Sequence, residues 1–389
     1  MRILFCTDTY PPQVNGVSVV TALSAQGLQR RGWECAVIAP RYPAHATPTT
    51  GFEGRGEANP AITAIPSIPF PSYPDIRLAV PACGTVRDVV ARFRPNIVHC
   101  ATEFVIGRLG QRAARTAGIP ICTSYHTDFA KYTSAYGVPW MRGPVTRWIT
   151  RFHARAERVF TPSVAAREDL RRLGLADVEV WGCGVDDVLF HPSHRSLALR
   201  QRLNLGNAFT FLHVGRLAPE KRVDVLLDAY ARVERALPAG AVRLVIAGAG
   251  PSLAALRERA TGSVIFLGSM DHQRELPALY ASADAFVFAS TTETLGLVVL
   301  EAMAAGTPVI AAPAGGVAEH LRHEVNGLAY APGDVAACAE AMLRVHGDPA
   351  LRLMLRDGAR RTAERRTWEQ ELDQLDASYR EVLSRWRGS

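Results

Sequence analysis

Lysine is nearly absent from this sequence: only Lys131 and Lys221 stand among 44 basic residues, and the rest are arginine. Long apolar runs are also missing, so no segment is predicted to cross a bilayer as a helix. The seven cysteines are scattered, without a CxxC pair or a zinc-ligand spacing, which indicates buried thiols in a reducing compartment. Because strand-like residues begin at Ile3, we expect no secretory signal peptide and a cytoplasmic location.

The net charge of +7 lies mostly in the first 190 residues. A basic N-terminal half is suited to an anionic membrane or an acidic acceptor. Nucleic acid would also suit such a charge, but the sequence has no nucleic-acid-binding motif, so we expect no nucleic-acid partner. With 48% hydrophobic and 21% charged residues, the composition is that of an ordinary globular protein, and 389 residues predict two or three domains.

Short apolar runs alternate with helical patterns along the chain. Apolar runs separated by helices are typical of parallel sheets covered on both faces. Two blocks of this pattern predict an α/β protein with two Rossmann-like doubly wound domains. The predicted strands cover residues 3–6, 35–39, 97–99, 121–124 and 159–161 in the first block, and 210–214, 243–247, 264–267, 285–288 and 309–311 in the second.

Gly182 and Gly184, followed by Pro192, predict the boundary between the two domains within residues 182–193, and we expect the domains to span residues 1–185 and 186–366. Residues 47–73 are rich in Pro, Gly and Thr and predict a long connection inside the first domain. Residues 367–389 carry apolar side chains at a spacing of about 3.5 residues, which predicts a final helix.

Glu293 and Glu301 enclose seven mostly apolar residues with Gly296 among them. Over eight residues a helix rotates by about 800°, which is about 80° more than two full turns. If Glu301 opens a helix and Glu293 lies in the loop before it, both can line one cleft. The helix N-terminus and the N–H groups around Gly296 would then face an anionic or hydroxyl-rich ligand. The alternative is a buried helix with an acid at each end, but the apolar residues 298–300 offer a buried Glu no partner.

Arg216 and Lys221 follow a predicted strand that ends in Gly215. A strand, a glycine turn and two cations five residues apart form a suitable anion clamp. Arg216 can grip phosphate oxygens through two N–H groups, and Lys221 adds a point charge. The alternative is a solvated basic loop.

Asn15 and Gly16 lie between the first predicted strand and the first predicted helix. Asn15 can cap the helix, and Gly16 lets a phosphate approach backbone N–H groups. The alternative is an ordinary turn. The pattern is not GxGxxG, which disfavours a dinucleotide-dependent dehydrogenase.

His126, Asp128 and Glu103 follow two predicted strands of the first block. The carboxyl ends of strands are where open α/β sheets bind ligands. His126 is either a ligand-binding residue or a structural histidine with a neighbouring partner. Glu103 either binds an acceptor or caps the next helix.

Arg147, Arg151 and Arg155 repeat every four residues and predict a basic helix face beside Trp148 and Phe152. Such a face can bind an anionic membrane surface or an acidic acceptor. The alternative is an ordinary helix with a solvated arginine face.

Together these motifs resemble the retaining GT-B glycosyltransferases of family 4, and the resemblance covers almost the whole chain. Residues 101–103, 126–129 and 136–137 are most similar to bacterial GDP-mannose-dependent α-mannosyltransferases and to sulfoquinovosyl- and glycosyl-diacylglycerol synthases. The resemblance implies two Rossmann-like domains facing a cleft, with the last helix crossing back to the first domain. Residues 294–296 read Thr-Leu-Gly where many members have Pro-Phe-Gly, which leaves the donor sugar open.

The resemblance also implies roles for the residues that match its motifs. Glu293 would bind hydroxyl groups of the transferred sugar, and Glu301 would bind the ribose. Arg216 and Lys221 would stabilise the departing diphosphate, and His126 would lie beside the transferred sugar. Further donor contacts are implied for Asn15, Gly16, Gly248, Met270, Leu295, Gly296 and Leu297, and acceptor contacts for Glu103 and Asp128.

The function implied is transfer of an α-linked hexose, mannose from GDP-mannose by preference, to a hydroxyl acceptor that is a lipid or glycolipid. No DxD-like motif is placed to hold a diphosphate, so we expect neither a metal nor a cofactor. Peripheral attachment at the inner face of the cell membrane is a further expectation. The alternatives are a UDP-sugar-dependent glucosyl, sulfoquinovosyl or N-acetylglucosaminyl transferase, a UDP-sugar 2-epimerase, a phosphorylase and a non-catalytic nucleotide-sugar sensor.

Overall fold

The computed structural model describes residues 1–13, 15–43, 60–70, 73–130, 133, 137–182 and 184–387. The chain divides into two compact units. The first unit comprises Met1–Ala130, Trp140–Cys183 and Glu369–Ser389, and the second comprises Lys131–Pro139 and Gly184–Trp368. No helix within these described ranges is long and apolar enough to cross a membrane.

Strands and helices alternate through both units. The strands are β1 (Arg2–Cys6), β2 (Glu34–Pro40), β3 (Ala61–Ile65), β4 (Ser67–Phe70), β5 (Tyr73–Ala79), β6 (Ile97–Cys100), β7 (Ile121–Ser124), β8 (Arg158–Thr161), β9 (Val178–Val180), β10 (Phe209–Val214), β11 (Val242–Ala247), β12 (Val264–Gly268), β13 (Ala285–Phe288), β14 (Val309–Ala311) and β15 (Gly327–Ala329). The α-helices are α1 (Gly16–Arg30), α2 (Cys83–Phe93), α3 (Val105–Thr116), α4 (Arg142–His153), α5 (Val164–Arg172), α6 (Leu197–Arg202), α7 (Val223–Ala236), α8 (Leu253–Arg259), α9 (Leu276–Ser282), α10 (Leu297–Ala304), α11 (Val317–His320), α12 (Val335–Gly347), α13 (Pro349–Glu364) and α14 (Trp368–Arg387).

The first unit is built on a parallel sheet in the order β3-β2-β1-β6-β7-β8-β9. Its inner strands are short and buried, as parallel strands covered on both faces are. Because all strands run in the same direction, the loops that follow β1, β6 and β7 meet at one edge of the sheet.

The last helix, α14, packs against the first unit. The hydroxyl of Tyr379 lies 2.6 Å from Nδ1 of the buried His99, and the indole N–H of Trp33 donates to Asp376 at 2.6 Å. Leu372 fills the space beside Gly27 on α1, where a Cβ would lie 2.3 Å from the Leu372 side chain. The helix thus closes part of the first unit's core.

The second unit is built on a parallel sheet in the order β12-β11-β10-β13-β14-β15. Its core joins strand residues Phe211, Leu244 and Val287 to Tyr230 of α7 and Met342 of α12. With β10 at the centre, the loops after β10, β11 and β13 lie together at the carboxyl edge of the sheet.

Every strand predicted from the sequence forms, each within one residue of its predicted bounds. The prediction of a connection over residues 47–73 is partly wrong. Residues 61–65 form β3, which pairs with β2, and β4 pairs with β5 as an antiparallel hairpin. β3 is an edge strand with mostly exposed side chains, so it lacks the apolar run that marks the inner strands. Residues 47–59 and 71–72 of that segment lie outside the described residues.

Candidate functional site

Lys221 and Glu293 form an ion pair in the second unit. The chain leaves β10 through Gly215 and Arg216 and makes a 3-10 turn at Pro219–Lys221 before α7 begins. This turn places Lys221 Nζ 2.5 Å from Glu293 Oε1, in the loop after β13. The two side chains are 15% and 14% exposed, so the pair is largely shielded from water. The structure therefore joins the basic motif to the first residue of the acidic motif.

Glu293 is held ionised. Burial raises the pKa of its carboxyl, but the charge of Lys221 and the hydrogen bond from its ammonium outweigh burial, so the pKa lies below the ordinary value. An ionised carboxylate is an acceptor only, and it is suited to binding hydroxyl groups.

Arg216 forms an ion pair with Glu220, which the sequence analysis did not single out. The guanidinium donates to a carboxylate whose side chain is fully buried, while the Arg216 side chain itself is 32% exposed. Glu220 thus holds one side of the Arg216 guanidinium, and the exposed side can present N–H groups to a ligand. A glutamate four residues after an arginine is the only sequence signal for this pair.

Glycines bring the loops after β10 and β11 into contact. A Cβ on Gly248 would lie 1.9 Å from the carbonyl oxygen of Gly215, so only glycine permits this approach. The N–H of Gly248 donates to the carbonyl of Gly268 at 2.7 Å. Met270 lies half-buried two residues later. The predicted nucleotide loops therefore surround the end of β10, while their contacts with a donor remain a prediction.

The helix that carries the second acid begins at Leu297, with Gly296 as its N-cap residue at φ +81°. Glu301 lies in the second turn of this helix, so the expectation that Glu301 opens it is wrong. Gly296 provides no side-chain cap, and Leu295 is buried beside it. Glu293 lies in the preceding loop, as predicted.

Glu301 is buried, with its side chain 3% exposed, and it has two partners. His272 Nε2 lies 2.8 Å from Glu301 Oε1, and the hydroxyl of Tyr280 donates to Oε2 at 2.8 Å. The expectation that a buried Glu here has no partner is therefore wrong, because the partners come from distant segments. Burial lowers the pKa of His272, but Glu301 outweighs burial and raises it. Each carboxylate oxygen keeps a second lone pair that can accept a further hydrogen bond.

Two glycines after β14 brace the Glu293 loop. The N–H of Gly316 donates to the carbonyl of Glu293 at 2.8 Å. A Cβ on Gly315 would lie 2.1 Å from that carbonyl oxygen, and one on Gly316 would lie 2.3 Å from the carbonyl oxygen of Thr294. The backbone position of Glu293 thus depends on two residues without side chains, which the sequence analysis missed despite the Gly-Gly pair.

Asn15 caps α1 as predicted. Its side chain accepts from the N–H of Ser18 at 2.9 Å, and the Ser18 hydroxyl oxygen accepts from the N–H of Asn15 at 3.3 Å. Gly16 is exposed at the first position of the helix, with nothing within 4 Å of where its Cβ would stand. The space beside Gly16 can therefore admit a ligand, although a phosphate contact there remains a prediction.

Glu103 does not cap a helix. The first N–H groups of α3 are capped by Asp8, whose Oδ1 accepts from the N–H of Ile106 at 2.9 Å. Glu103 instead lies 3.3 Å from His153 Nε2, and both side chains are buried. The capping alternative is wrong because Asp8, which follows β1, reaches the helix first.

His126 and Asp128 follow β7 and lie beside this buried pair. Burial, with a smaller contribution from His153, lowers the pKa of His126 to about 4, so its imidazole is neutral near pH 7. Asp128 lies within electrostatic reach of Tyr125. Glu103, His126 and Asp128 therefore lie at the same edge of the first unit's sheet, whereas Arg216, Lys221, Glu293 and Glu301 belong to the second unit.

Family profiles match both units. The profile described as Glycosyltransferase Family 4 matches residues 14–189, and the one described as Glycosyl transferases group 1 matches residues 208–348. A GDP-mannose-dependent alpha-mannosyltransferase of Mycobacterium tuberculosis is 35% identical over 99% of this chain and 98% of its own length. The chain is a family 4 glycosyltransferase. Its resemblance to this family is therefore confirmed.

Two further comparisons concern one relative of this glycosyltransferase and one solved structure of similar fold. The alpha-monoglucosyldiacylglycerol synthase of Streptococcus pneumoniae is 32% identical over 80% of this chain and 71% of its own length. The crystal structure of HepE from Anabaena with UDP-glucose is similar to this chain with a TM-score of 0.78 at 23% identity, covering 98% of this chain and 99% of HepE. The predicted GT-B fold class, with two Rossmann-like parallel-sheet units, is thereby confirmed.

The predicted basic surface of the glycosyltransferase forms only in part, because Phe152, expected to lie beside it, is fully buried in the core of the first unit. Arg147 and Arg151 are exposed on α4, but Arg155 lies past the end of this helix at His153 and is exposed in the following turn. Trp140, just before α4, is 74% exposed. Exposed arginines and an exposed tryptophan are both suited to a lipid headgroup region, where indole rings are favoured.

Proposed function

We propose that this glycosyltransferase moves a hexose, mannose from GDP-mannose by preference, to a hydroxyl acceptor with retention of the α configuration. The observation that carries the proposal is the Lys221–Glu293 ion pair, with Arg216 in the segment that leads from β10 to Lys221. It sets cations suited to a diphosphate next to a carboxylate suited to sugar hydroxyls. Mannose is preferred because the mycobacterial relative is named for GDP-mannose.

The second unit would stabilise the leaving group. As the glycosidic bond breaks, negative charge develops on the diphosphate, and Arg216 and Lys221 would neutralise it. We propose that these two cations serve in place of a metal ion. Glu293 and the N–H groups of residues 295–297 would hold the sugar, while Glu301 would accept from the ribose hydroxyls.

Retention would follow from substitution on one face of the sugar. The departing phosphate oxygen would take the proton of the acceptor hydroxyl as that hydroxyl forms the new bond to the anomeric carbon. His126, neutral because burial lowers its pKa, would contact the sugar without adding a positive charge. No covalent glycosyl-enzyme is needed on this route.

A lipid or glycolipid acceptor suits the exposed side chains of Trp140, Arg147, Arg151 and Arg155. One relative at 32% identity is named as a diacylglycerol glycosyl synthase, which supports the same acceptor class. Peripheral attachment to an anionic membrane would place the acceptor hydroxyl near the chain. Asp128, which lies close enough to Tyr125 to act on it electrostatically, would then contact the acceptor.

A donor panel tests this proposal. The purified chain is incubated with radiolabelled GDP-mannose, UDP-glucose or UDP-N-acetylglucosamine and with lipid extract, with and without EDTA, and the anomeric configuration of the product is determined by NMR. We expect α-mannosyl lipid from GDP-mannose at an EDTA-insensitive rate. Glucosyl product would select the alternative donor, which the name of the pneumococcal relative favours. A free epimerised sugar nucleotide, phosphate-dependent sugar release or binding without turnover would contradict transfer.

A further inference from the structure

His213 is a fully buried histidine at the end of β10, two residues before Gly215. Its Nδ1 lies 3.2 Å from the carbonyl oxygen of Val287 on the neighbouring strand β13. Its ring stacks on Phe288, with centroids 5.7 Å apart and planes at 18°. A carbonyl can only accept, so Nδ1 carries the proton and Nε2 of the neutral ring presents a lone pair.

Nε2 of His213 has no hydrogen-bond partner among the described residues, although it is buried. A buried acceptor without a partner is unfavourable, so it indicates a donor that arrives in another state of the protein. Nε2 lies 3.6 Å from where a Cβ of Gly215 would stand, next to the residue that precedes Arg216. Burial lowers the pKa of His213 to about 4, and both Lys221 and Glu293 are close enough to act on the ring electrostatically.

Of these two charged neighbours, Lys221 is a donor, whereas the Glu293 carboxylate can only accept. An ammonium has three N–H groups, and the structure assigns one of them to Glu293. When Glu293 binds sugar hydroxyls, Lys221 must exchange this partner while it contacts the diphosphate. A second acceptor close to the clamp would keep the ammonium in place during that exchange.

We propose that His213 is a positioning residue whose Nε2 accepts a hydrogen bond from Lys221 when the nucleotide sugar occupies Glu293. This inference rests on the proposed function, because it assigns His213 a part in holding the same donor. His213 itself touches neither the sugar nor the diphosphate, since it is fully buried. It acts only through Lys221.

Two substitutions separate the two ring nitrogens. The amide of Asn reaches the position of Nδ1, so His213→Asn keeps a donor to Val287 and loses the acceptor at Nε2. The amide of Gln reaches the position of Nε2, so His213→Gln keeps that acceptor and loses the donor to Val287. A purely structural role through Val287 predicts that Asn rescues and Gln does not, whereas our proposal predicts the reverse.

The readouts are GDP-mannose affinity by calorimetry, turnover, and affinity for GDP alone. We expect His213→Asn to weaken GDP-mannose binding and turnover by about 10- to 100-fold, the range of a hydrogen bond to a charged group. We expect GDP-mannose affinity and turnover of His213→Gln to stay within about threefold of wild type, because this variant keeps the acceptor for Lys221. GDP affinity should change little in either variant, because GDP leaves Glu293 paired with Lys221. His213→Phe, which keeps the stack on Phe288, repeats the test if His213→Asn does not fold.

A double-mutant cycle tests the route through Lys221. In a Lys221→Met background, His213→Asn should weaken GDP-mannose binding no further. An undiminished effect in that background, or wild-type behaviour of His213→Asn, would overturn the inference while leaving the proposed function standing. A wild-type chain that neither binds nor transfers from GDP-mannose, UDP-glucose or UDP-N-acetylglucosamine would overturn both.

Discussion

The ammonium of Lys221 lies 2.5 Å from Glu293 Oε1, although 72 residues separate the two in the chain. Each residue belongs to a motif that has an ordinary alternative when taken alone, a solvated basic loop in one case and a buried acid in the other. Because the two residues are in direct contact, the two motifs belong to the same candidate site. Under the proposed function, an incoming donor would displace this ion pair at Glu293.

Replacing Glu293 with Gln removes the charge and keeps the shape. We expect transfer to fall by about 100-fold or more, since a preorganised group at the reacting sugar is lost. Turnover with GDP-mannose measures the effect, and Glu258→Gln, at an exposed glutamate of the same unit, is the matched control. Near-wild-type turnover of Glu293→Gln would remove Glu293 from the site.

Replacing Arg216 with Gln should weaken binding of GDP by about tenfold, because one charge-assisted contact to the diphosphate is lost. The variant is made together with Glu220→Gln, so that no buried carboxylate is left without its partner. Arg222→Gln is the control, since Arg222 is exposed and pairs with Asp224. Equal GDP affinities of the Arg216 variant and the wild-type chain in calorimetry would contradict the proposal that Arg216 binds the diphosphate.

Replacing Gly316 with Ala should move the Glu293 loop, because the new Cβ would meet the carbonyl of Thr294. We expect turnover to fall by about 10- to 100-fold and the free energy of unfolding to fall by about 1–3 kcal/mol, as for other overpacked sites. Gly262→Ala is the matched control, since nothing lies within 4 Å of its Cβ position. Equal turnover of the two variants would show that the loop tolerates the displacement.

Replacing Arg147, Arg151 and Arg155 with Gln should weaken binding to anionic liposomes by about 100-fold at low salt, since each juxtamembrane cation contributes about 1 kcal/mol. The control replaces Arg167, Arg171 and Arg172 of α5 with Gln and so removes the same amount of charge from another helix. Co-sedimentation with phosphatidylserine vesicles measures binding. Parallel losses in both triple variants would indicate net charge rather than a surface.

Stability should fall in mild acid because buried histidines stay neutral in the folded chain. Burial lowers the pKa of His99 and His320 to about 3. A lowered folded-state pKa means that stability is complete above the unfolded value near 6.5 and is lost as the pH falls toward the folded value. Each such histidine contributes a slope of up to about 1.4 kcal/mol per pH unit.

Urea unfolding at pH 7.5, 6 and 5 measures this dependence. His320→Leu should reduce the slope, while His194→Leu, at an exposed histidine, should leave it unchanged. An identical slope in both variants would show that His320 is protonated alike in the folded and unfolded chain.

The sequence predicts the sheets well because buried parallel strands are nearly continuous apolar runs, and β7, β13 and β14 form at their predicted bounds. It also places Asn15 and Glu293 correctly, since caps and loop acids depend on local patterns. Contacts between distant segments could not be predicted. The partners of Glu301, for example, come from the loop after β12 and from α9, and no local spacing encodes them.

The cap on α3 shows the same limit. Asp8 and Glu103 are both acids near the helix start, one distant and one adjacent in sequence, and the distant one caps it because β1 and β6 are neighbours in the sheet. The edge strand β3 was missed for a different reason. Its side chains are mostly exposed, so its sequence resembles that of a loop.

The docking of α14 on the first unit sets an order of assembly during synthesis. The second unit precedes α14 in the chain, so it can complete its sheet while the first unit still lacks the partners of Trp33 and His99. Growing chains emerge at about 5–20 residues per second, and domains generally fold as units. The unit whose synthesis begins first is therefore the later of the two to gain all of its native contacts.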